Sequence, residues 1–199
     1  MIKAVFFDMG GVISPSRKEE MFAWLIRNLA LPESKINVLA ECYNGAQKGE
    51  KSTEELLDEV SSKLNVDKAK LRKSWEEMHS EVFTLNPEVL AIVSSLKEKK
   101  YVTALITNTI ELHASLFRKN KGYSFFHPIV CSYEIGIKKP EPGIYKKMLD
   151  VIGFKAEECV FVDDRIEHLA PAIQLGMKVI HFKNAEQLKQ DLRKLGVDC

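Results

Sequence analysis

The sequence carries no excess of either charge: Lys plus Arg total 29 against 28 Asp plus Glu. That balance gives no support to nucleic acid or an anionic membrane as the main partner, so any anion recognition must be local. The four cysteines, Cys42, Cys131, Cys159 and Cys199, include none of the close pairs that zinc sites use and make no small-domain disulfide framework, which predicts reduced, mostly buried thiols. No stretch approaches membrane-spanning length, and "MIKAVFFD" has too short an apolar run and too early an acid for a signal peptide. Internal repeats and low-complexity segments are also lacking. The expectation is a cytoplasmic, monomeric enzyme or binding protein of 199 residues, long enough for one domain with a modest insertion.

What is present is a series of five short apolar runs: "AVFF" before Asp8, "VTALIT" from Val102, "PIVCS" from Pro128, "CVFV" before Asp163 and "KVIHF" from Lys178. They are continuous rather than alternating, as in strands buried on both faces of a parallel sheet. Helical patterns separate the last four. Asn86 and Pro87 form an N-cap and first-turn pair opening "EVLAIVSSLKEKK", and similar patterns cover Ile110 to Lys119, Gly143 to Ile152, Glu167 to Leu175 and Ala185 to Leu195. This order predicts an α/β fold with a three-layer, Rossmann-like doubly wound sheet.

The segment from Ser16 to Thr84 breaks that order, because it contains no strand and reads as four consecutive helices. "MFAWLIRNLAL", "ESKINVLAECY", "TEELLDEVSSKL" and "KAKLRKSWEEMHSEVF" each carry an apolar stripe; Ser52 with Glu55 makes a capping box, and Asp67 caps the fourth helix. The expected organisation is a core of residues 1–15 and 85–199 with a helical cap inserted at 16–84. Trp24, Tyr43 and Trp75 are expected in the core of that bundle.

Ligands of open parallel sheets bind outside the carboxyl ends of the strands. Asp8 follows the first run, Thr107 and Asn108 end the second, "SYEIGIKKPEP" follows the third, and Asp163 with Asp164 follow the fourth. Taken singly, a post-strand Asp is a turn or a cap and a Lys-Pro pair is a solvated loop. Brought to one sheet edge, carboxylates, a hydroxyl, an amide and a lysine describe a site for a divalent cation and a phosphoryl group.

These motifs resemble the haloacid dehalogenase superfamily over nearly the whole chain. "DMGGV" stands for its first motif, "LITNT" for the second, "GIKKPEPGIY" for the third and "VFVDDRIEHLAPAIQLGM" for the fourth. The pattern is similar to capped sugar-phosphatase-like members, including bacterial glucose-1-phosphate phosphatases. The resemblance implies a Mg²⁺-dependent phosphatase of a small phosphorylated metabolite, such as a sugar phosphate. Asp8 is then the nucleophile that forms an aspartyl phosphate. Thr107, the amide of Asn108 and the backbone at Gly11 meet the phosphate, and Lys139, directly before the proline, neutralises charge in preference to Lys138. Asp8, the carbonyl of Gly10, Asp164 and, less directly, Asp163 hold Mg²⁺.

Gly10 stands where many members carry a second aspartate that protonates the leaving group. The resemblance leaves a second reading, a catalytically weak or inactive phosphate-binding regulatory protein. Carbon–halogen hydrolysis is disfavoured, because that branch resembles DxYGT in its first motif. His168 replaces an Asn or Asp near the metal site, which leaves it two roles, a leaving-group acid or, the one expected, a support of the loop, and Pro171 predicts a late helix start near Leu169. Glu41, Tyr43 and Asn44 are the expected substrate contacts from the cap, with Gly45 and Gly49 flanking a bend.

Overall fold

The computed structural model describes residues 1–15 and 18–199, so that Ser16 and Arg17, where the helical insertion was expected to begin, lie outside the described residues. The five apolar runs become β1 (Ala4–Phe7), β2 (Val102–Thr107), β3 (Ile129–Cys131), β4 (Cys159–Asp163) and β5 (Lys178–His181). They pair in parallel in the order β3-β2-β1-β4-β5. Phe7 lies opposite Leu105 on one side and Val162 on the other. The chain steps outward from β1 to β3 and then returns to β4 on the opposite side. The crevice between β1 and β4 is therefore the switch point where such sheets bind ligands.

Alternation along the strands sorts apolar residues into two layers. Val5, Phe7, Leu105, Val160 and Val162 pack under α5 (Pro87–Glu98), α6 (Glu111–Lys119) and α10 (Ala185–Lys194). Ala4, Phe6, Ala104, Ile106 and Phe161 pack against α8 (Pro142–Ile152) and α9 (Ile166–Gln174). Each large side chain so buried contributes roughly 1.5–3 kcal/mol, which holds the strand ends in place.

Between β1 and α5 run α1 (Lys18–Asn28), α2 (Ile36–Ala46), α3 (Thr53–Leu64) and α4 (Lys68–Val82). Their apolar stripes meet in a separate cluster containing Phe22, Leu25, Leu39, Leu57 and Trp75, joined by Ile110 and Leu112. Ser52 accepts from the Glu55 amide while the Glu55 carboxylate accepts from the Ser52 amide, and Asp67 accepts from the Lys70 amide at 2.8 Å. Trp75 is fully buried, whereas Trp24 is partly exposed and donates to Glu81 at 3.1 Å.

Three local expectations change. Residues 33–43 do not form one helix: a 3₁₀ turn at Glu33–Lys35 precedes α2. A short helix, α7 (Ser132–Ile135), follows β3 and is ended by Gly136 at φ 69°. Helix α9 begins at Ile166 rather than near Leu169 and contains Pro171. A helical proline removes the amide that would reach the carbonyl four residues back, here that of the exposed Glu167. The hydroxyl of Tyr145 donates to the next carbonyl, that of His168, at 2.6 Å, so the buried side of the turn keeps a partner. Cys42, Cys131 and Cys159 are buried free thiols and Cys199 is a partly exposed one. Among the described residues, no helix is long and apolar enough to cross a membrane.

Candidate active site

Asp8 leaves the central strand directly into the β1/β4 crevice and is 7% exposed. Its Oδ1 accepts from the Met9 amide at 2.7 Å and pairs with Lys139 Nζ at 2.7 Å, so the second oxygen carries neither of these contacts. Lys139 is itself 2% exposed and bridges onward to Asp163 Oδ2 at 2.8 Å. Its backbone is clamped by Asn108, whose amide nitrogen donates to the Lys139 carbonyl at 2.8 Å while its oxygen accepts from the Lys139 amide at 2.7 Å. The end of β2 thus positions the lysine that the third motif supplies. Ser132 ties the same loops together, accepting from the Thr109 amide at 3.0 Å and donating to the Thr109 carbonyl at 3.1 Å.

Asp163 is fully buried. Besides Lys139 it accepts from the Arg165 amide at 2.9 Å and from His168 Nδ1 at 3.0 and 3.1 Å. A carboxylate only accepts, so Nδ1 carries the His168 proton. His168 therefore fixes this carboxylate and its loop. Asp8, Asp163 and His168 offer ligand atoms within 4.8 Å of one another, yet three donors already engage Asp163. Asp164, by contrast, borders the cavity, and its backbone carbonyl accepts from His181 Nε2 at 3.1 Å. Gly11, at φ 84°, lets the Asp164 carboxylate lie against the first loop, since a Cβ there would stand 2.4 Å from Oδ2.

The buried charges divide unequally. Burial, reinforced by the Asp163 charge, pushes the Asp8 carboxyl up to about 6 against the pull of Lys139. Burial acts on Asp163 in the same sense, but Lys139 and His168 outweigh it and hold that carboxyl at about 2. Burial disfavours the Lys139 ammonium, and the two carboxylates more than offset it, raising its pKa above the ordinary value. Asp163 is the permanent anion of the trio, and Asp8 is the group whose charge responds to its surroundings.

The cavity above Asp8 has a volume of about 580 Å³, within the range of small-molecule sites. Gly10, Thr107, Asn108, Lys139 and Asp164 border it with Asp8. Asp163 does not, and Gly11 meets Asp164 instead. Of the expected cap contacts, Tyr43 borders the cavity. Glu41 is exposed beside Lys63 at 4.0 Å, and Asn44 turns its carbonyl to Lys138 Nζ at 3.4 Å. The reason is helical phase: Tyr43 and, one turn on at the C-cap of α2, Gln47 both border the cavity, whereas Glu41 and Asn44 fall at other angles around the helix. Lys138 also reaches Gln47 Oε1 at 3.4 Å, and Lys48 pairs with Glu141 at 2.9 Å. Gly45 lies within α2, whereas Gly49, at φ 71°, is pressed so closely to the Tyr133 carbonyl that a Cβ would be 2.0 Å away.

Sequence reasoning missed the aromatic wall made by Phe83, His113 and Phe117. A signal existed in "ELHASLFRK", where His113 shares an otherwise apolar helical face with Phe117. His113 Nε2 accepts from the Trp75 indole at 2.6 Å and Nδ1 lies 3.3 Å from the Tyr43 hydroxyl. Burial pushes the His113 imidazole down to about 3 and His79, edge-to-face with Phe117, down to about 4.

A family model described as haloacid dehalogenase-like hydrolase matches residues 2–176. Mouse acyl-CoA dehydrogenase family member 10 is 28% identical over 97% of the chain, which covers 19% of that protein. Glyceraldehyde 3-phosphate phosphatase of Pyrococcus furiosus is 35% identical over 49% of the chain and 41% of its own length. The chain thus spans less than half the length of these curated relatives. A HAD family enzyme of Bacteroides thetaiotaomicron, solved in complex with magnesium and inorganic phosphate, superimposes with a TM-score of 0.75 at 24% identity, covering 92% of this chain and 95% of that one.

Proposed function

The chain belongs to the haloacid dehalogenase-like hydrolase family, and from that premise we propose that it is a Mg²⁺-dependent phosphatase of a small phosphorylated metabolite working through Asp8. The observation that carries this reading is the Lys139 ammonium seated 2.7 Å from Asp8 and 2.8 Å from Asp163 at the floor of the cavity. It offsets the repulsion between an anionic nucleophile and an anionic ester, which water cannot do in so buried a place. An Asp8 oxygen attacks phosphorus in line with the departing ester oxygen, giving an aspartyl phosphate that water then hydrolyses. The Thr107 hydroxyl, the Asn108 amide and the backbone at Gly11 hold the phosphoryl oxygens.

The donor set fits Mg²⁺: Asp8, the Gly10 carbonyl and the Asp164 carboxylate are hard oxygen ligands, and the missing Cβ of Gly11 makes the space in which Asp164 is held against the first loop. Bound there, the ion supplies charge stabilisation to the phosphoryl group and lowers the pKa of Asp8. Asp163 acts as the anchor of Lys139 and the loop rather than as a direct ligand. Residues 16–84 serve as a cap domain that closes the cavity over the leaving group and excludes water during transfer. The phosphatase and the magnesium and phosphate complex among the similar proteins support the reading, and the free thiols support a cytoplasmic setting.

The test is release of inorganic phosphate from a panel of sugar phosphates, nucleotides and an aryl phosphate. Turnover is expected to require Mg²⁺, to vanish with a chelator and return on adding the ion back, and to fall below detection in Asp8→Asn. Phosphate release that survives Asp8→Asn overturns the assignment of the nucleophile.

A further inference from the structure

Position 10 carries no carboxyl, so a departing ester oxygen lacks the proton donor that an aspartate there would provide. The cavity holds another. The Trp75 indole N–H can only donate, so His113 Nε2 must accept it at 2.6 Å. His113 is neutral, because burial pushes it down to about 3. Its single proton therefore sits on Nδ1 and is donated to the Tyr43 oxygen at 3.3 Å. The Gln47 side chain, whose own oxygen takes Lys138, borders the same cavity. With the His113 bond arriving at its oxygen, the Tyr43 O–H must direct its proton elsewhere, and the residue borders the cavity that Asp8 floors.

We propose that Tyr43 is the catalytic residue that donates its proton to the leaving-group oxygen, in place of the carboxyl absent at position 10. The inference rests on the phosphatase reading above. As the Asp8 oxygen forms its bond to phosphorus, the ester P–O bond breaks, its electron pair stays on the leaving oxygen, and that oxygen takes the Tyr43 proton to depart as an alcohol. In the second step, water attacks the aspartyl phosphate and gives its proton to the Tyr43 oxygen, restoring Asp8 carboxylate, phenol and free phosphate. Burial, with the nearby Asp8 charge adding to it, raises the Tyr43 pKa, so the proton stays in place at neutral pH until a strongly basic alkoxide develops. Trp75 and His113 are positioning residues, since they set the tautomer that points the Tyr43 proton into the cavity.

The experiment compares wild type and Tyr43→Phe on benzyl phosphate, whose alkoxide is a poor leaving group, and on 4-nitrophenyl phosphate, whose phenolate needs no proton. Thermal melting confirms that the variant folds, and Asp8→Asn marks the uncatalysed floor. The expected result is a loss of about 10²-fold in kcat on benzyl phosphate with a loss at least tenfold smaller on 4-nitrophenyl phosphate. Trp75→Phe, which frees His113 to adopt the other tautomer and accept the Tyr43 proton, is expected to show the same selective loss in milder form. Equal losses on the two esters in a folded Tyr43→Phe protein overturn the role of Tyr43 while leaving the phosphatase reading intact. Absence of phosphate release from either ester and from the wider panel in wild type overturns the phosphatase reading and this inference with it.

Discussion

One wall of the cavity is built from strand ends and holds Asp8, Lys139 and Asp163 in contacts of 2.7 and 2.8 Å, whereas the wall made by Tyr43, Phe83, His113 and Phe117 holds aromatic rings and a neutral imidazole. The contrast follows from what backbone each wall stands on. Parallel strands end side by side, so the segments that follow β1, β3 and β4 can present charged groups that satisfy one another out of water. Helices meeting through ring edges, as in the Tyr43–His113 and Phe83–Phe117 contacts at 5.3 and 5.1 Å, offer shape and a few hydrogen-bond directions instead. Charge is concentrated at the strand ends, and shape on the side made of packed helices.

The strongest way to break the charged wall is Lys139→Met. It removes the ammonium from between two buried carboxylates, and breaking a buried pair by deleting one partner costs about 3–5 kcal/mol. Denaturant unfolding at pH 7.5 is expected to show that loss together with absent turnover; an unchanged midpoint would mean that the trio is not held in the ionised form described.

The aromatic wall responds to acid. His79 and His113 are held near 4 and 3 in the folded protein, chiefly by burial, against an ordinary value near 6.5. Below about pH 6.5 the unfolded chain takes up protons that the folded protein refuses, so stability falls as pH falls from there toward 4, by roughly 2 kcal/mol per histidine at pH 5. Asp8 acts in the opposite sense, since its raised carboxyl binds a proton as pH drops through about 6. Unfolding free energies of wild type and His79→Leu at pH 7.5 and 5 separate the two: the variant is expected to lose about 2 kcal/mol less on acidification, and parallel curves would show that His79 takes up its proton as readily in the folded protein as in the unfolded chain.

The smallest effect is expected where the two halves of the chain touch in water. Lys48 and Glu141 are both partly exposed, and such pairs contribute about 0.2–1 kcal/mol. Lys48→Ala should therefore shift the unfolding midpoint only slightly. A loss well above 1 kcal/mol would show that this bridge, rather than the close approach at Gly49 and the ring contacts, holds the helices over the strand ends.

Much of this was legible before any coordinates. Each strand was an apolar run, and Asp8, Asn108 and Asp164 stood just after one, because a residue that follows a buried strand must leave the sheet at its edge; Lys139 stood further on, beyond α7. The capping residues Ser52, Asp67 and Asn86 marked helix starts through bonds that span two or three residues. Pro171 misled for an equally local reason: its penalty was visible, but the exposed carbonyl that softens it and the Tyr145 hydroxyl from another helix were not. Glu41 and Tyr43 were indistinguishable as cap contacts until α2 was turned against the sheet.

The sequence by itself determined the parallel sheet and the four-helix insertion through periodicity, and Asp8, Thr107 and Asn108 through their position at strand ends, while the choice of Lys139 and Asp164 followed from the motifs that resemble the family. Only the tertiary structure decided that Asp163 anchors Lys139, that Asn108 clamps the lysine backbone and that Trp75 fixes the proton on His113 beside Tyr43. Those pairs lie 24, 31, 38 and 70 residues apart in the chain. Contacts of that range are set by how whole layers pack, because the direction of a hydrogen bond depends on where both backbones finally stand.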